Sequence, residues 1–220
     1  GGQMNTRSVY AVNDSNKVLR NTYGLLAITT LFSALMAYMN TFLMITITPI
    51  ITIALYFGLV FLTNKMKDSP WGIVCVFAIT GLLGFTIGPI IQSYATNIQN
   101  GSTLVAQAFL GTAITFIGVN IYVAKAKPKL NEAWLPIMFW TMLVAVAISL
   151  VNYYFLQMSV LSVVISAVIL LVSVIYLVYE TNSIINGGER NYILATVGIF
   201  VSLYNIFMSL LSILGFVNKD

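Results

Sequence analysis

Seven apolar stretches, each long enough to cross a lipid bilayer, occupy almost the whole chain. A hydrocarbon core about 30 Å thick requires about 20 mostly apolar residues at a helical rise of 1.5 Å per residue. Charged residues make up only 7% of the chain, against about 25% in an ordinary soluble domain. These features predict an all-α membrane protein with seven transmembrane helices, at about residues 21–40, 42–63, 71–94, 103–124, 133–153, 158–180 and 191–215.

The segments outside these stretches are too short for a second domain. Residues 1–3 precede Met4 and are interpreted as a cloning remnant, so that Met4 is the expected native start. Residues 4–20 are polar and are expected to form an N-terminal tail in the cytoplasm. Residues 21–220 then form one transmembrane bundle, with no cleaved signal peptide.

The basic residues predict the orientation of the bundle, because Lys and Arg near helix ends stay in the cytoplasm. Nine of the ten Lys and Arg lie before the first apolar stretch or in every second segment between stretches. The other segments between stretches carry no charge. An odd number of helices therefore places the N-terminus in the cytoplasm and the C-terminus in the periplasm. The nine residues are Arg7, Lys17, Arg20, Lys65, Lys67, Lys125, Lys127, Lys129 and Arg190.

The composition excludes several kinds of site. The chain has no His, one Cys and only three Asp, so it cannot form a Ser-His dyad, a His-based zinc site or a pair of intramembrane aspartates. No phosphate-binding loop or dinucleotide fingerprint is present. We therefore expect no enzyme activity, no cofactor and no metal site. The net charge of +4 follows from membrane topology and favours contact with anionic lipids, not with nucleic acid.

A glycine motif lies in the third stretch. Gly84 and Gly88 are four residues apart, Gly81 precedes them and Pro89 follows them. Small residues at this spacing allow another helix to approach closely. The alternative is a broken helix that lines a cavity beside Pro89.

The last two stretches each carry a polar seam at helical spacing. Such side chains must face protein or water, because lipid cannot satisfy their hydrogen bonds. The seventh helix is therefore expected at the centre of the other six, in contact with the sixth, and the seam forms either interhelical hydrogen bonds or a water-filled path. Its members are Ser162, Ser166, Ser173, Tyr176 and Glu180 in the sixth helix, and Gly198, Ser202, Asn205, Ser209 and Ser212 in the seventh.

Glu180 is the only acid placed within or at the edge of an apolar stretch. A carboxylate at membrane depth is costly and suggests a functional site. Two interpretations remain open: an interfacial carboxylate paired with Arg190 or with the following turn, or a gate that responds to protons or ions.

The motifs above resemble the Bax inhibitor-1 (transmembrane Bax-inhibitor-motif) family, in particular its bacterial YccA branch. The resemblance covers essentially residues 4–220. It rests on the third-helix glycines with Pro89, the run Tyr179–Glu189 with Tyr192 and Ile193, the run Ser202–Gly215 and, before the first helix, Lys17–Tyr23.

The resemblance implies a seven-helix bundle in the bacterial inner membrane that binds and restrains FtsH, the membrane-anchored protease that removes unassembled proteins such as SecY. Other members of the family are described as pH-sensitive calcium leak channels with two aspartates that share a proton. The first of these positions falls on Glu180 and the second on Ser202, and a Glu-Ser pair cannot titrate as coupled carboxylates. A regulator of the protease is therefore the first interpretation, with membrane lipids as its surroundings, and a channel for calcium or protons is the alternative.

Overall fold

The computed structural model describes residues 2–189 and 191–219, with side chains described from residue 16 onward. Its described residues form seven long helices joined by short turns, and all seven are long and apolar enough to span a membrane. The predicted fold class is therefore confirmed. The helices are α1 (Gly2–Leu43), α2 (Pro49–Met66), α3 (Trp71–Asn97), α4 (Gly101–Ala126), α5 (Trp134–Val151), α6 (Ser159–Ile185) and α7 (Tyr192–Val217), and a π-helical turn (Asn152–Leu156) follows α5.

Two helix starts differ from the sequence expectation. The first helix was expected from residue 21 but begins at Gly2, because residues 3–20 contain no Gly or Pro to interrupt it. The second was expected from residue 42 but begins at Pro49. The left-handed backbone of Met44, with a φ of 52°, ends α1, and a proline suits the first turn of the helix that follows.

The core of the bundle is built around α7 and α3, the two most buried of the seven spans. Helix α7 contacts α1, α2, α3, α4 and α6, while α5 packs against α6 on the outside of the bundle. The largest interfaces join α1 to α3 and α6 to α7. Completely buried apolar side chains from α3, α6 and α7 meet in the main cluster, among them Ile79, Leu177, Ile199 and Ile206.

The least buried spans are α2 and α5, and their outward faces carry large apolar side chains. Phe61 on α2 and Trp140 on α5 are both 63% exposed. A soluble protein rarely leaves such continuous apolar surface uncovered. The outer surface of the bundle is therefore suited to contact with acyl chains.

The short connections lie at two ends of the bundle. We call the end with the α2–α3, α4–α5 and α6–α7 connections the basic end, because nine of the ten Lys and Arg lie in these connections, in the last turns of α2 and α4 that lead into them, or among residues 4–20. The other three connections form the opposite end. A hydrogen bond between the Thr48 and Tyr154 hydroxyl groups joins two of them.

Candidate functional site

Glu180 lies on α6 against the backbone of α7, near the basic end. It is half-buried, and its carboxyl group occupies the space beside Gly198. A Cβ atom added to Gly198 would lie 3.1 Å from Glu180 Cδ and 3.2 Å from Glu180 Oε1. The missing side chain at position 198 therefore makes room for the carboxyl group of Glu180.

The surroundings of Glu180 are polar and partly acidic. Tyr176, one turn earlier on α6, forms a side-chain hydrogen bond with Glu180. Tyr56 of α2 interacts electrostatically with Tyr176, and Glu189 in the α6–α7 connection does so with both Tyr176 and Glu180. Arg190, the expected basic partner, lies outside the described residues. The sequence predicted Tyr176 as part of the seam but not the contribution of Tyr56 from α2.

The polar seam of α7 is turned toward the protein interior. Ser202 is 2% exposed and Ser209 is 4% exposed, while Asn205 and Ser212 are half-buried. The Ser202 hydroxyl donates to the Gly198 carbonyl at 2.9 Å, so it is satisfied by its own helix. Ser202 therefore supplies neither a second carboxylate nor a hydrogen bond to Glu180.

The seam of α6 divides into two regions. At the opposite end, Ser162 accepts a hydrogen bond from Asn152 Nδ2 at 2.8 Å and belongs to the α5–α6 turn. Ser166 is half-buried. Nearer the basic end, Ser173 is 3% exposed and Thr181 is fully buried, and neither hydroxyl has a hydrogen-bond partner among the described residues. The sequence analysis did not select Thr181.

The glycine motif of α3 faces α1. A Cβ atom on Gly81 would lie 2.6 Å from the ring of Phe32. One on Gly84 would overlap Ser33, with the Ser33 carbonyl carbon at 2.8 Å, and one on Gly88 would lie 2.5 Å from the Ala37 carbonyl oxygen. The structure therefore places these three glycines at a close helix-helix contact. Pro89 is buried inside the continuous helix α3.

A buried asparagine that the sequence analysis missed lies at this same interface. Asn40, near the end of α1, is 0% exposed. Its side chain donates to the Phe85 carbonyl of α3 at 2.7 Å and exchanges two hydrogen bonds with the backbone of Ile45. An amide within an apolar stretch was the available signal, because such a group must find partners inside the protein.

The motif from Tyr179 to Glu189 ties the connections of the basic end together. Tyr179 donates its hydroxyl to the Asn131 carbonyl in the α4–α5 connection at 2.5 Å. Asn186 donates to the Val123 carbonyl of α4 at 3.2 Å and to the Asn182 side chain at 2.7 Å. Just after the motif, Asn191 donates to the Lys67 carbonyl in the α2–α3 connection at 3.0 Å. The region thus has a structural role in addition to presenting Glu180.

Asn191 also begins α7. Its side-chain oxygen accepts hydrogen bonds from the backbone amides of Ile193 and Leu194, both at 3.1 Å. These bonds satisfy amides that have no partner within the helix. One side chain therefore sets the start of the central helix and joins it to the α2–α3 connection.

Comparison with known proteins agrees with this architecture. The family model described as "Inhibitor of apoptosis-promoting Bax1" matches residues 15–219. The chain is 44% identical to the Escherichia coli K12 protein named "Modulator of FtsH protease YccA", over 94% of this chain and 93% of the relative. A protein of E. coli O6:H1 named "Inner membrane protein YccA" matches at the same identity and coverage.

An uncharacterised protein of Pseudomonas aeruginosa is 41% identical over 92% of this chain and 90% of its own length. These matches extend over nearly all of each chain, and the seven apolar helices agree with the location given in the name of one relative. The protein is a multi-pass protein of the bacterial inner membrane. The chain belongs to the Bax inhibitor-1 family.

Proposed function

We propose that this protein is an inner-membrane modulator that binds a membrane-anchored protease of the FtsH type and restrains it. The observation that carries the proposal is the 44% identity, over 94% of the chain, to a protein named as a modulator of that protease. The expected consequence is slower turnover of membrane proteins such as SecY.

The first helix supports a physical account of this restraint. Helix α1 begins at Gly2, whereas the apolar stretch that it contains begins at about residue 21. The residues before this stretch, 2–20, correspond to about 28 Å of helix. If the basic end faces the cytoplasm, this segment is the part of the chain most accessible to a cytoplasmic protease.

The α1–α3 interface would then determine how well the bundle resists extraction. A pull on the N-terminus acts first on α1, and the close contacts of Gly84 and Gly88 hold α1 against α3. A protease that engages the N-terminal segment must break this interface before it can remove the bundle. During that time the protease is occupied and degrades other substrates more slowly.

Deletion of residues 4–16 tests the proposal. In cells with a fixed amount of the FtsH-type protease, the intact chain should lengthen the half-life of unassembled SecY, measured by pulse-chase, and the deletion should abolish this effect. Removal of Lys219 and Asp220, at the other terminus, is the control and should leave the effect intact. An equal SecY half-life with the deleted and the intact chain would contradict the proposal.

We do not extend the proposal to calcium conduction. The mechanism suggested by the family resemblance requires two carboxylates that titrate together. The Ser202 hydroxyl at the second position is bonded to the Gly198 carbonyl. Glu180 beside Gly198 therefore has no acidic partner at that position.

A further inference from the structure

The third helix contains a backbone carbonyl that its own helix cannot satisfy. Pro89 lies inside α3 and has no amide hydrogen, so the carbonyl four residues earlier, that of Phe85, loses its intrahelical donor. An unpaired carbonyl in a membrane protein is costly, because neither lipid nor a packed core can replace the missing hydrogen bond.

Asn40 supplies the missing donor from another helix. Its Nδ2 atom donates to the Phe85 carbonyl at 2.7 Å. The same amide group donates to the Ile45 carbonyl at 2.8 Å, and its oxygen accepts from the Ile45 amide at 2.9 Å. One fully buried side chain therefore joins the proline position of α3 to the turn between α1 and α2.

Gly88 allows this contact to form. A Cβ atom on Gly88 would lie 2.8 Å from Asn40 Cβ and 2.9 Å from the Asn40 carbonyl carbon. The adjacent glycine and proline thus have separate roles at one contact: Gly88 gives the space for Asn40, and Pro89 leaves the carbonyl that Asn40 satisfies.

We propose that Asn40 couples the α1–α2 turn to the proline position of α3. The turn cannot open without loss of the hydrogen bond to the Phe85 carbonyl, and α3 cannot move away without loss of the hydrogen bonds to Ile45. We call this set of hydrogen bonds the Asn40 latch. The inference concerns the bundle itself and does not depend on the proposed function. It explains why a glycine and a proline stand side by side in a core helix and why α1 ends in a buried amide.

The chain offers a matched control. Asn152 closes the α5–α6 turn in a similar way: its side chain donates to the Met158 carbonyl at 3.2 Å and accepts from the Met158 amide at 2.9 Å. Its remaining bond goes to the hydroxyl of Ser162 and not to a carbonyl left free by a proline. Asn152 should therefore be energetically independent of Pro89.

A double-mutant cycle in detergent tests the latch. Asn40→Ala leaves three backbone groups without their partner and should lower the apparent melting temperature by about 6 °C. Pro89→Ala restores a backbone amide that can donate to the Phe85 carbonyl. In the Pro89→Ala background, the fall in melting temperature caused by Asn40→Ala should therefore be smaller by about a third. Asn152→Ala should cost the same in both backgrounds. Equal losses for Asn40→Ala with and without Pro89 would overturn the proposal.

The cycle remains decisive if Asn40→Ala does not fold. In that case the Asn40→Ala/Pro89→Ala double variant should recover monodisperse protein, since only the Phe85 carbonyl has regained a donor. No recovery would overturn the latch, and so would a Pro89→Ala variant that fails to fold. Hydrogen exchange adds a second measurement: Asn40→Ala should speed exchange of the Ile45 amide at least tenfold, and unchanged exchange would contradict the proposed coupling.

Discussion

At the scale of single residues, the neighbours of Glu180 provide space and a hydrogen bond for its carboxyl group. A charged carboxylate at the centre of a membrane costs about 2.5–3.5 kcal/mol, and less near the interface. Gly198 gives the carboxyl group space against α7, and Tyr176 gives it a hydrogen bond. These two neighbours accommodate the side chain without an aspartate on α7.

Tyr176→Phe should destabilise the protein because it removes the hydroxyl bonded to Glu180. A hydrogen bond to a charged group contributes about 1.5–3 kcal/mol, and we expect a loss of about 1–2 kcal/mol because Glu180 is only half-buried. Thermal unfolding in detergent measures the change. Tyr122→Phe, at an exposed position, is the control, and equal effects of the two substitutions would argue against this contact.

Some of the polar residues could be predicted from the sequence. The α6 and α7 seams repeat at helical spacing, so Tyr176, Glu180 and Ser202 stood out as one pattern. Asn40 did not, because a single amide has no period and its partner at Phe85 is a backbone atom 45 residues away. The role of Tyr56 required knowledge of which helix lies beside α6.

At the scale of helices, the α1–α3 contact includes two glycines, Gly84 and Gly88, whose replacement would meet backbone atoms of α1 as well as side-chain atoms. Ser33 and Ala37 contribute backbone atoms to the contacts of Gly84 and Gly88. Backbone in a helix cannot move aside locally, since its neighbours in the helix move with it. Even a methyl group at these positions must therefore separate the two helices.

Gly84→Ala should lower stability by about 2 kcal/mol or more, since overpacking in a tight core costs about 1–3 kcal/mol. Gly58→Ala on α2 is the matched control, because a Cβ atom there meets nothing within 4 Å. It should be neutral or stabilising, as alanine favours the helix over glycine. Thermal unfolding of the two variants compares them directly, and a Gly84→Ala protein as stable as Gly58→Ala would show that α1 and α3 are not in close contact.

Asn191→Ala should destabilise the start of α7. The substitution removes the acceptor for two amides and the bond to the Lys67 carbonyl, and loss of a helix cap costs about 1 kcal/mol. Asn191→Ser keeps a capping oxygen and should recover most of the loss. The comparison is made by thermal unfolding and by hydrogen exchange of Ile193 and Leu194; similar exchange in both variants would exclude capping as the cause.

Helix ends were predicted less well than helix number. The polarity of residues 4–20 suggested a tail, but α1 continues through these residues. Water can form hydrogen bonds with the polar side chains of a helix as readily as with those of a coil, so polarity alone does not distinguish the two. The turn before Pro49 was missed since residues 44–48 are as apolar as their neighbours. In the structure the left-handed backbone of Met44 ends α1, and residues 44–48 are not helical.

For the whole molecule, the bundle separates a packed interior from a lipid-facing exterior. Helices α3 and α7 form the interior, and α2 and α5 present apolar side chains outward. The charges collect at one end, where the positive-inside rule predicts the cytoplasm. The proposed engagement of the N-terminal segment by a cytoplasmic protease depends on this orientation.

Thiol labelling tests the orientation. The native Cys75 is buried, so an introduced cysteine on the surface can be labelled selectively. Gln99→Cys, in the α3–α4 connection, should react with a membrane-impermeant maleimide applied from the periplasmic side, whereas Lys129→Cys, at the basic end, should react only after permeabilisation. The reverse pattern would place the N-terminus in the periplasm.

Crosslinking followed by co-purification tests the central claim most directly. The tagged chain, expressed at native level in cells that contain the FtsH-type protease, is crosslinked in intact membranes, purified in detergent and analysed for the protease. We predict that the protease is recovered with the intact chain and that its recovery falls at least tenfold when residues 4–16 are deleted. Recovery no greater than that obtained with an unrelated seven-helix membrane protein would contradict the proposed modulator.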